Sequence, residues 1–394
     1  MMFKFNGKRS GKMIKGLKSS LAIFLSIILI AGVLAGCGSN GTATTDSGAS
    51  SAQTSVESST GNVYEWGDAN FEAAVRKVAE GKTIKIGFTP PAASEFYDII
   101  QHGAYTEMNE LHDRFGVNFQ FDFASPSEHE AVESQVATIE NWTSKKYDAI
   151  AVCSAGDYAS MNSVYKKAED AGSNVYMFNM PAELWKETEI NTVSVVGYNN
   201  TYQSGYLVGE YAAQKLNGKG KILLIWGLQG HWSTARKNGF MEAIKKYPDM
   251  QIVGEQRGDY VRDKGMRAAE NLLAANPDVN LIYGENEEMA QGAAQAVQAR
   301  GLKMWDGKSG IMVIGADGLK SGYDAIRNGN LTATVNVGPV DQGRELVKAI
   351  FMHEILGYSV DKILNIPTNV IDKSNVDVVA AYTDWALAAK ENYK

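Results

Sequence analysis

Cysteine is nearly missing from this sequence of 394 residues, which contains only Cys37 and Cys153. Paired cysteines with the spacing of a zinc or redox site are therefore absent, and the five histidines show no metal-binding spacing. The sequence also has no Gly-x-Ser-x-Gly elbow and no phosphate-binding Walker loop. We predict no metal, no cofactor and no catalytic residue, so the protein is not expected to be an enzyme.

Basic residues are scarce once the N-terminus is set aside. Residues 1–36 carry six Lys and Arg and no acid, so removing them changes the formal net charge from −7 to −13. Nucleic acids and anionic membrane surfaces bind clustered Lys and Arg. This acidic balance argues against nucleic acid as a partner and against a protein that lies flat on a membrane.

The longest apolar run is shorter than a membrane-spanning helix needs to be. Residues 21–36, which are 16 apolar and small residues, follow the six cations. A spanning helix needs about 20 residues, whereas a charged segment before a short apolar run is typical of a signal peptide. An uncleaved transmembrane anchor is the alternative. The sequence Leu34-Ala35-Gly36-Cys37 resembles the lipobox of bacterial lipoproteins, which implies a signal peptide over residues 1–36, lipidation of Cys37 and a protein anchored outside the cytoplasm at the cell membrane.

The segment after Cys37 predicts a tether and then a helix. Ser, Thr, Gly and Ala dominate residues 38–62, a composition too poor in large apolar groups to offset the entropy of ordering. We therefore predict a flexible linker over residues 37–62. Residues 63–82 are predicted to contain an amphipathic helix, capped by Asp68, that places Phe71, Val75 and Val78 on one face. The remaining chain exceeds what one hydrophobic core usually serves, which favours two domains.

Short apolar runs alternate with helical patterns from residue 83 onward. They show no in/out alternation, as expected of parallel strands that are covered on both faces. The ten runs are residues 84–88, 117–121, 149–153, 174–178, 192–196, 222–226, 252–255, 281–283, 311–314 and 332–335. This pattern predicts an α/β fold with two doubly wound parallel sheets.

Two stretches in the second half of the chain carry a family pattern. One joins residues 265–273 (GMRAAENLL), 276–279 (NPDV) and 285–290 (ENEEMA), and the other joins residues 314–318 (IGADG) and 329–335 (GNLTATV). They resemble the ribose- and galactose-binding proteins of ABC importers, in the type I periplasmic binding protein family. The resemblance implies two Rossmann-like lobes, joined by three crossover strands, that close on a ligand between them.

The resemblance also implies a division of the chain and a function. We predict an N-terminal lobe from residues 83–198 and 338–364 and a C-terminal lobe from residues 199–337 and 365–394. The protein is expected to capture a monosaccharide or related polyol and to deliver it to the transmembrane subunits of an ABC permease, and to be a monomer.

Candidate ligand residues follow the apolar runs, because ligands of open α/β sheets sit beyond the carboxyl ends of the strands. Ser94, Phe96 and Tyr97 come after the first run, where the family has a polar residue and two aromatics that stack on a sugar. Packing of both rings in the core is the alternative. Glu95 stands where the family has a proline.

The resemblance assigns further ligand contacts to the second half of the chain. The planar donors of Arg236 would bridge two hydroxyls, and Tyr260 would sandwich the sugar ring together with Phe96. Asn286 and Asp317 each follow a strand and offer hydrogen bonds to hydroxyls.

Two other residues allow more than one interpretation. Trp232, four residues before Arg236, either lines the same pocket or packs at the start of its helix. Asp157 either lines the cleft or caps the next helix.

The sequence departs from the family at two candidate positions. Asn179-Met180 stands where the ribose-binding protein has an aspartate followed by an arginine, so the charged clamp is missing. A site that leaves polar groups of a ligand unpaired rejects that ligand strongly, and we therefore predict that ribose is not the best ligand. Asn336 is kept as a candidate, although the family glutamine beside it is Val337 here.

Three functions compete for this architecture. The leading one is a receptor for sugar import. The second is a lipoprotein that presents its bound ligand to a membrane sensor kinase. The third is the effector core of a LacI-type repressor, which would need a basic helix-turn-helix at the N-terminus, where this chain has an export signal.

Overall fold

A computed structural model of the chain describes residues 56–57, 63–64, 69–126, 128–129, 131–180, 192–197 and 200–393. The predicted signal peptide, Cys37, most of the linker and the cap Asp68 lie outside these residues. Within the described part, no helix combines the length and apolar character needed to cross a bilayer. The chain divides into two compact units, Met1–Ala74 and Val75–Lys394.

The first unit contains a short antiparallel pair, β1 (Val56–Glu57) and β2 (Val63–Tyr64). Helix α1 (Ala69–Ala79) begins in this unit and ends in the second. Its buried side chains are Phe71, Val75 and Ala79, whereas Val78 is 44% exposed. The prediction for Val78 is wrong because the buried positions repeat every four residues, which selects Ala79 instead.

The second unit is built on two sheets of six strands each. The sheet of the N-terminal lobe has the order β13-β7-β6-β5-β3-β4, where the strands are β3 (Thr83–Thr89), β4 (Asn118–Phe123), β5 (Ala149–Val152), β6 (Asn174–Phe178), β7 (Ser194–Val196) and β13 (Ile363–Leu364). The helices that accompany it are α2 (Glu95–Phe115), α3 (Val132–Ser144), α4 (Tyr158–Asp170) and α10 (Pro339–Glu354). All pairings in this sheet are parallel.

The sheet of the C-terminal lobe has the order β14-β12-β11-β10-β8-β9. Its strands are β8 (Lys219–Trp226), β9 (Asp249–Arg257), β10 (Leu281–Gly284), β11 (Met312–Asp317), β12 (Ala333–Asn336) and β14 (Asn369–Asp372), and only β14 is antiparallel. The helices that follow in chain order are α5 (Asn200–Lys215), α6 (His231–Ile244), α7 (Arg262–Ala275), α8 (Glu287–Ala299), α9 (Lys320–Arg327) and α11 (Val376–Leu387). The predicted fold class is confirmed, and each of the ten predicted runs overlaps a strand.

Three crossings join the lobes, after β7, after β12 and between β13 and β14. Asn200, at the first crossing, connects all three. Its side-chain Nδ2 donates to the backbone oxygens of Val337, at 3.0 Å, and Ile366, at 3.1 Å, which belong to the other two. A buried amide that is satisfied by two crossings holds the hinge segments in register.

The chain end returns to the N-terminal lobe. Asn109 of α2 donates from Nδ2 to the Lys390 carbonyl at 2.7 Å and accepts from the Asn392 N–H at 3.0 Å. The Tyr393 ring packs edge-on against Phe119, with 5.6 Å between centroids. The prediction assigned residues 365–394 to the C-terminal lobe. For residues 390–393 it is wrong, because the Tyr393 side chain is buried on the N-terminal lobe.

Glycines let two helices of the C-terminal lobe approach closely. A Cβ at Gly205 of α5 would lie 1.9 Å from the Arg236 carbonyl of α6, and one at Gly239 would lie 2.1 Å from the Tyr202 carbonyl. Any side chain at either position would push the two helices apart. Close packing therefore fixes α6, which carries Trp232 and Arg236.

Candidate ligand-binding cleft

A cleft of about 990 Å³ lies between the two lobes. This volume is at the upper end of the range for small-molecule sites. Nine of the ten predicted ligand residues line it, namely Ser94, Phe96, Tyr97, Asn179, Trp232, Arg236, Tyr260, Asn286 and Asp317. They come from both lobes and from segments far apart in sequence, yet the fold brings them to one cavity.

Asn336 is the predicted ligand residue that the structure does not place in the cleft. Its side-chain Oδ1 accepts a hydrogen bond from the Gly338 N–H at 2.7 Å. The side chain therefore closes the turn at the second crossing, where Gly338 adopts a left-handed conformation with φ 69°. Asn336 thus follows a strand, as the other candidates do, but its side chain bonds to Gly338 instead of facing the cleft.

The N-terminal wall is aromatic. Ser94 caps α2, and its Oγ accepts from the Tyr97 N–H at 3.5 Å. The rings of Phe96 and Tyr97 meet edge to face, with 5.2 Å between centroids, and both are 7% exposed. The two rings therefore line the cleft, while most of their surface packs inside the lobe. Cleft lining and core packing were given as alternatives for this segment, and both describe it.

The hydroxyl of Tyr97 points to a buried thiol. Its Oη lies 3.5 Å from Sγ of Cys153, directly after β5. Burial raises the pKa of the Cys153 thiol to about 12 and raises the pKa of Tyr97 well above its usual value. Both groups are therefore neutral at physiological pH, and a thiol in this state is a poor nucleophile.

Asn179 connects the two walls. It adopts a left-handed backbone conformation, with φ 50°, which asparagine tolerates better than most residues. Its carbonyl oxygen accepts a hydrogen bond from Trp232 Nε1 at 3.1 Å, across the cleft. Trp232 thus lines the cleft and bonds to the opposite lobe at the same time.

A buried ion pair forms the centre of the C-terminal wall. Arg236 Nη2 and Asp317 Oδ1 are 2.7 Å apart, and the two residues are 7% and 6% exposed. Burial raises the pKa of Asp317 to about 6 although Arg236 opposes that shift. The Arg236 Nη1 also donates to the Glu285 carbonyl, so the guanidinium is held in one orientation.

Tyr260 and Asn286 complete this wall. Tyr260 has a left-handed backbone, with φ 63°, and its ring occupies the space beside Gly227, where a Cβ would lie 2.0 Å from the ring carbon Cζ. The Asn286 Oδ1 caps α8 by accepting from the Met289 N–H at 3.0 Å, and its Nδ2 donates to the Tyr260 carbonyl at 3.3 Å.

Two buried glutamates support the loops of the C-terminal wall. Glu285 accepts from the Gly227 N–H at 2.8 Å and from Ser233 Oγ at 2.5 Å. Glu287 accepts from the N–H groups of Gly318, at 2.8 Å, and Leu319, at 3.1 Å. Burial raises the pKa of Glu285 to about 7 and that of Glu287 to about 8. In the stretch ENEEMA, a role was predicted only for Asn286 and not for these two glutamates.

Glu95 and His129 also line the cleft, although neither was predicted from the sequence as a ligand residue. Glu95 accepts from the Ser321 N–H of the opposite lobe at 2.9 Å, and the His129 ring lies 6.1 Å from the Tyr260 ring across the cleft. Asp157 satisfies both of its alternatives, because it lines the cleft and accepts from the Ser160 N–H at 2.9 Å as the cap of α4. Within the described residues, no group of three metal-ligating side chains occurs.

The sequence pattern of one protein family, described as a periplasmic binding protein domain, matches residues 86–355 of this chain. The D-allose-binding periplasmic protein of Escherichia coli is 32% identical over 228 residues, which cover 56% of this chain and 70% of that protein. The ribose import binding protein of the same organism is 35% identical over 150 residues, which cover 38% of this chain and 48% of that protein. The match thus spans about half the length of the ribose-binding relative.

Solved structures share the fold. A solute binding protein of an ABC transporter from Bacillus halodurans, with bound myo-inositol, is 27% identical and aligns with a TM-score of 0.66 over 77% of this chain and 99% of that one. A galactofuranose binding protein aligns with a TM-score of 0.67 at 21% identity, over 77% of this chain and 99% of its own.

Proposed function

Because this chain belongs to the periplasmic binding protein domain family, we propose that it is an extracytoplasmic receptor that closes its two lobes on a neutral monosaccharide or related polyol. The observation that carries this proposal is the composition of the cleft: aromatic side chains from both lobes line it together with the buried Arg236–Asp317 pair. Aromatic rings stack on the C–H faces of sugars, and a fixed arginine and carboxylate donate to and accept from hydroxyls.

The charges of the cleft support a neutral ligand. Five carboxylate residues line it, namely Glu95, Asp157, Asp263, Glu288 and Asp317, against two arginines, Arg236 and Arg262, and two histidines, His129 and His231. Arg262 donates from Nε and Nη2 to the carboxylate oxygens of Glu288, both at 2.9 Å. Since both arginines already pair with carboxylates, a carboxylated or phosphorylated sugar would face an excess of negative charge.

Delivery to an ABC permease and anchoring through Cys37 are further parts of the proposal. Family membership, the ribose import binding protein and the solute binding protein of an ABC transporter support the first. The lipobox-like sequence Leu34-Ala35-Gly36-Cys37 supports the second. Binding is expected to shift the lobes toward the closed form, which the permease would recognise.

The test is isothermal titration calorimetry of the purified protein against a panel of neutral sugars, polyols, uronic acids and sugar phosphates. We expect binding of at least one neutral compound, with ribose weaker than the best ligand. Tight binding of only acidic compounds would contradict the proposal. Arg236→Ala should abolish the binding that is found, whereas Arg327→Ala, on an exposed ion pair outside the cleft, should retain it.

Uptake distinguishes import from sensing. Deletion of the gene should abolish uptake of the labelled ligand, and Cys37→Ser should release the protein from the membrane. Normal uptake in the deletion strain, together with loss of the transcriptional response to the ligand, would instead favour the sensor-kinase alternative.

A further inference from the structure

The segment of residues 317–321 serves the cleft in two ways. Asp317, at the end of β11, and Leu319 line the cleft. Ser321, in the first turn of α9, donates its backbone N–H to Glu95 of the N-terminal lobe, with 2.9 Å between N and Oε1. A proposed ligand contact and a bond between the lobes therefore belong to the same short segment.

The carboxyl group of Glu287 holds this segment from inside the C-terminal lobe. Glu287 is fully buried and is the first residue of α8. Its Oε1 accepts from the Gly318 N–H at 2.8 Å, and its Oε2 accepts from the Leu319 N–H at 3.1 Å. Oε1 also bonds to Oγ1 of Thr334 in β12. One side chain thus ties two consecutive peptide N–H groups of the segment to α8 and β12.

Glu287 is packed closely between β11 and α9. A Cβ at Gly322 of α9 would lie 1.7 Å from Glu287 Oε2, and a Cβ at Gly315 of β11 would lie 2.9 Å from Glu287 Cα. Glycine at these two positions lets the strand and the helix lie directly against Glu287. Because a packed interior transmits displacements, a shift of the carboxyl group would also move the start of α9.

The start of α9 depends on acceptors from outside the helix. Its cap residue, Leu319, makes no side-chain capping bond, although N–H groups at a helix start need acceptors. Glu287 supplies an acceptor for the Leu319 N–H from within the same lobe, and Glu95 supplies one for the Ser321 N–H from the opposite lobe. The first bond therefore positions the donor of the second.

We propose that Glu287 is a positioning residue that couples the ligand contact at Asp317 to closure of the lobes through the Glu95–Ser321 bond. The inference rests on the proposed function, in which Asp317 binds ligand hydroxyls, and adds how binding is communicated to the opposite lobe. With Glu287 in place, a ligand that fixes Asp317 also fixes the Ser321 N–H, so binding and closure favour each other. Without Glu287, the start of α9 is not held where Glu95 reaches it, and the Glu95 bond stops contributing to affinity.

A double-mutant cycle, measured by calorimetry on the purified protein, tests this inference. The probe is the neutral compound of the panel that binds most tightly, beginning with D-allose, D-galactose, D-ribose and myo-inositol. Glu287→Gln is isosteric, but its amide nitrogen does not accept, so one of the two peptide N–H groups loses its partner. The Kd should rise at least about fivefold. Glu95→Ala should raise Kd about fivefold in the wild-type background but less than about twofold in the Glu287→Gln background.

The outcomes separate this inference from the proposed function. If the effects of Glu95→Ala and Glu287→Gln on Kd multiply, or if Glu287→Gln leaves Kd unchanged, the coupling is overturned and the proposed function stands. Absence of binding by every neutral compound of the panel would overturn both. A role of Glu287 in stability alone would lower the urea midpoint without making the two effects on Kd non-additive.

Two further variants complete the experiment. Gly322→Ala leaves Glu287 unchanged, but its methyl group would lie 1.7 Å from Oε2 and should push the carboxyl group away from the Leu319 N–H. It should show the same non-additivity with Glu95→Ala, and it decides if Glu287→Gln does not fold.

Glu107→Gln is the matched control. Glu107 is a glutamate of α2 that is 1% exposed, pairs with Arg344 at 2.8 Å and does not line the cleft. Glu107→Gln should lower the urea midpoint and leave Kd at the wild-type value. An equal rise of Kd in Glu107→Gln and Glu287→Gln would show that loss of stability, and not the position of residues 317–321, weakens binding, and would overturn the inference.

Discussion

Glu95 of the N-terminal lobe accepts a hydrogen bond from the backbone N–H of Ser321 in the C-terminal lobe, with 2.9 Å between Oε1 and N. Ser321 lies in the first turn of α9, where the cap residue Leu319 makes no side-chain capping bond. Free N–H groups at a helix start favour a negative charge. Because this bond spans the cleft, it exists only when the lobes are together, and it stabilises the closed form.

Glu95→Ala should weaken ligand binding. Loss of a helix-capping acceptor costs about 1 kcal/mol, which corresponds to about a fivefold increase in Kd. The measurements are calorimetry with the identified ligand and small-angle scattering of the ligand-free protein, which should show a larger radius of gyration than wild type.

Glu133→Ala is the matched control, because Glu133 is an exposed glutamate in the first turn of α3 and does not line the cleft. It should leave the Kd and the radius of gyration at their wild-type values. Equal behaviour of the two variants would contradict the role of Glu95 in closure.

Trp232→Phe should also raise Kd. The phenyl ring keeps an aromatic surface in the cleft but removes the Nε1–H donor to the Asn179 carbonyl. Loss of one hydrogen bond costs about 1 kcal/mol, so a roughly fivefold faster dissociation of the ligand is expected in stopped-flow fluorescence. Trp385→Phe, at a half-exposed tryptophan outside the cleft, is the control. An unchanged dissociation rate in Trp232→Phe would show that this bond does not hold the lobes together.

The strands were predictable because their cause is local. Fully buried parallel strands are short apolar runs, and the carboxyl ends of those runs indicated where the cleft lies, whereas the family resemblance assigned Arg236 and Tyr260 to it. The strand β13 has two residues, Ile363 and Leu364, and such a short run carries no detectable pattern. The position of Asn336 satisfied the same rule as Asp317, yet its side chain bonds to the next turn instead of facing the cleft.

The contacts that give the cleft its character were not predictable from local sequence. Glu95 and Ser321 are separated by 226 positions, and their bond depends on how the two lobes come together. The pairing of Tyr97 with Cys153 likewise depends on packing between α2 and the end of β5. A sequence pattern identifies which residues reach the cleft, but it does not show which of their polar atoms are already satisfied.

Breaking the buried Arg236–Asp317 pair should lower the free energy of unfolding more than breaking an exposed ion pair does. Removing one partner of a buried pair leaves an uncompensated charge and costs about 3–5 kcal/mol. Asp317→Ala should therefore lower the free energy of unfolding by about that amount in urea denaturation and abolish ligand binding. Asp377→Ala breaks the exposed pair with Arg327, at 2.9 Å, and should cost less than about 1 kcal/mol. Similar losses in the two variants would contradict the burial of the Arg236–Asp317 pair.

The free energy of unfolding should fall as the pH rises from about 4.5 to about 7, because of Glu285. Burial raises the pKa of this carboxyl from 4.5 to about 7, so the folded protein holds the proton more tightly than the unfolded chain does. Its contribution to stability is complete below the unfolded pKa and is lost as the pH rises through the folded pKa, with a slope of at most about 1.4 kcal/mol per pH unit.

Glu285→Gln should flatten this part of the pH profile, since the amide oxygen still accepts from Gly227 and Ser233 but does not ionise. Urea denaturation at intervals between pH 4.5 and 8, followed by tryptophan fluorescence, measures the slope. Asp317 and Glu287, whose pKa values burial also raises, to about 6 and about 8, give slopes of the same sign, so a residual decline should remain in the variant. Glu242→Gln, at an exposed carboxylate of α6, should keep the wild-type slope. If the profiles of Glu285→Gln and wild type are parallel, Glu285 ionises at its ordinary pKa and a charged carboxylate lies beneath the C-terminal wall.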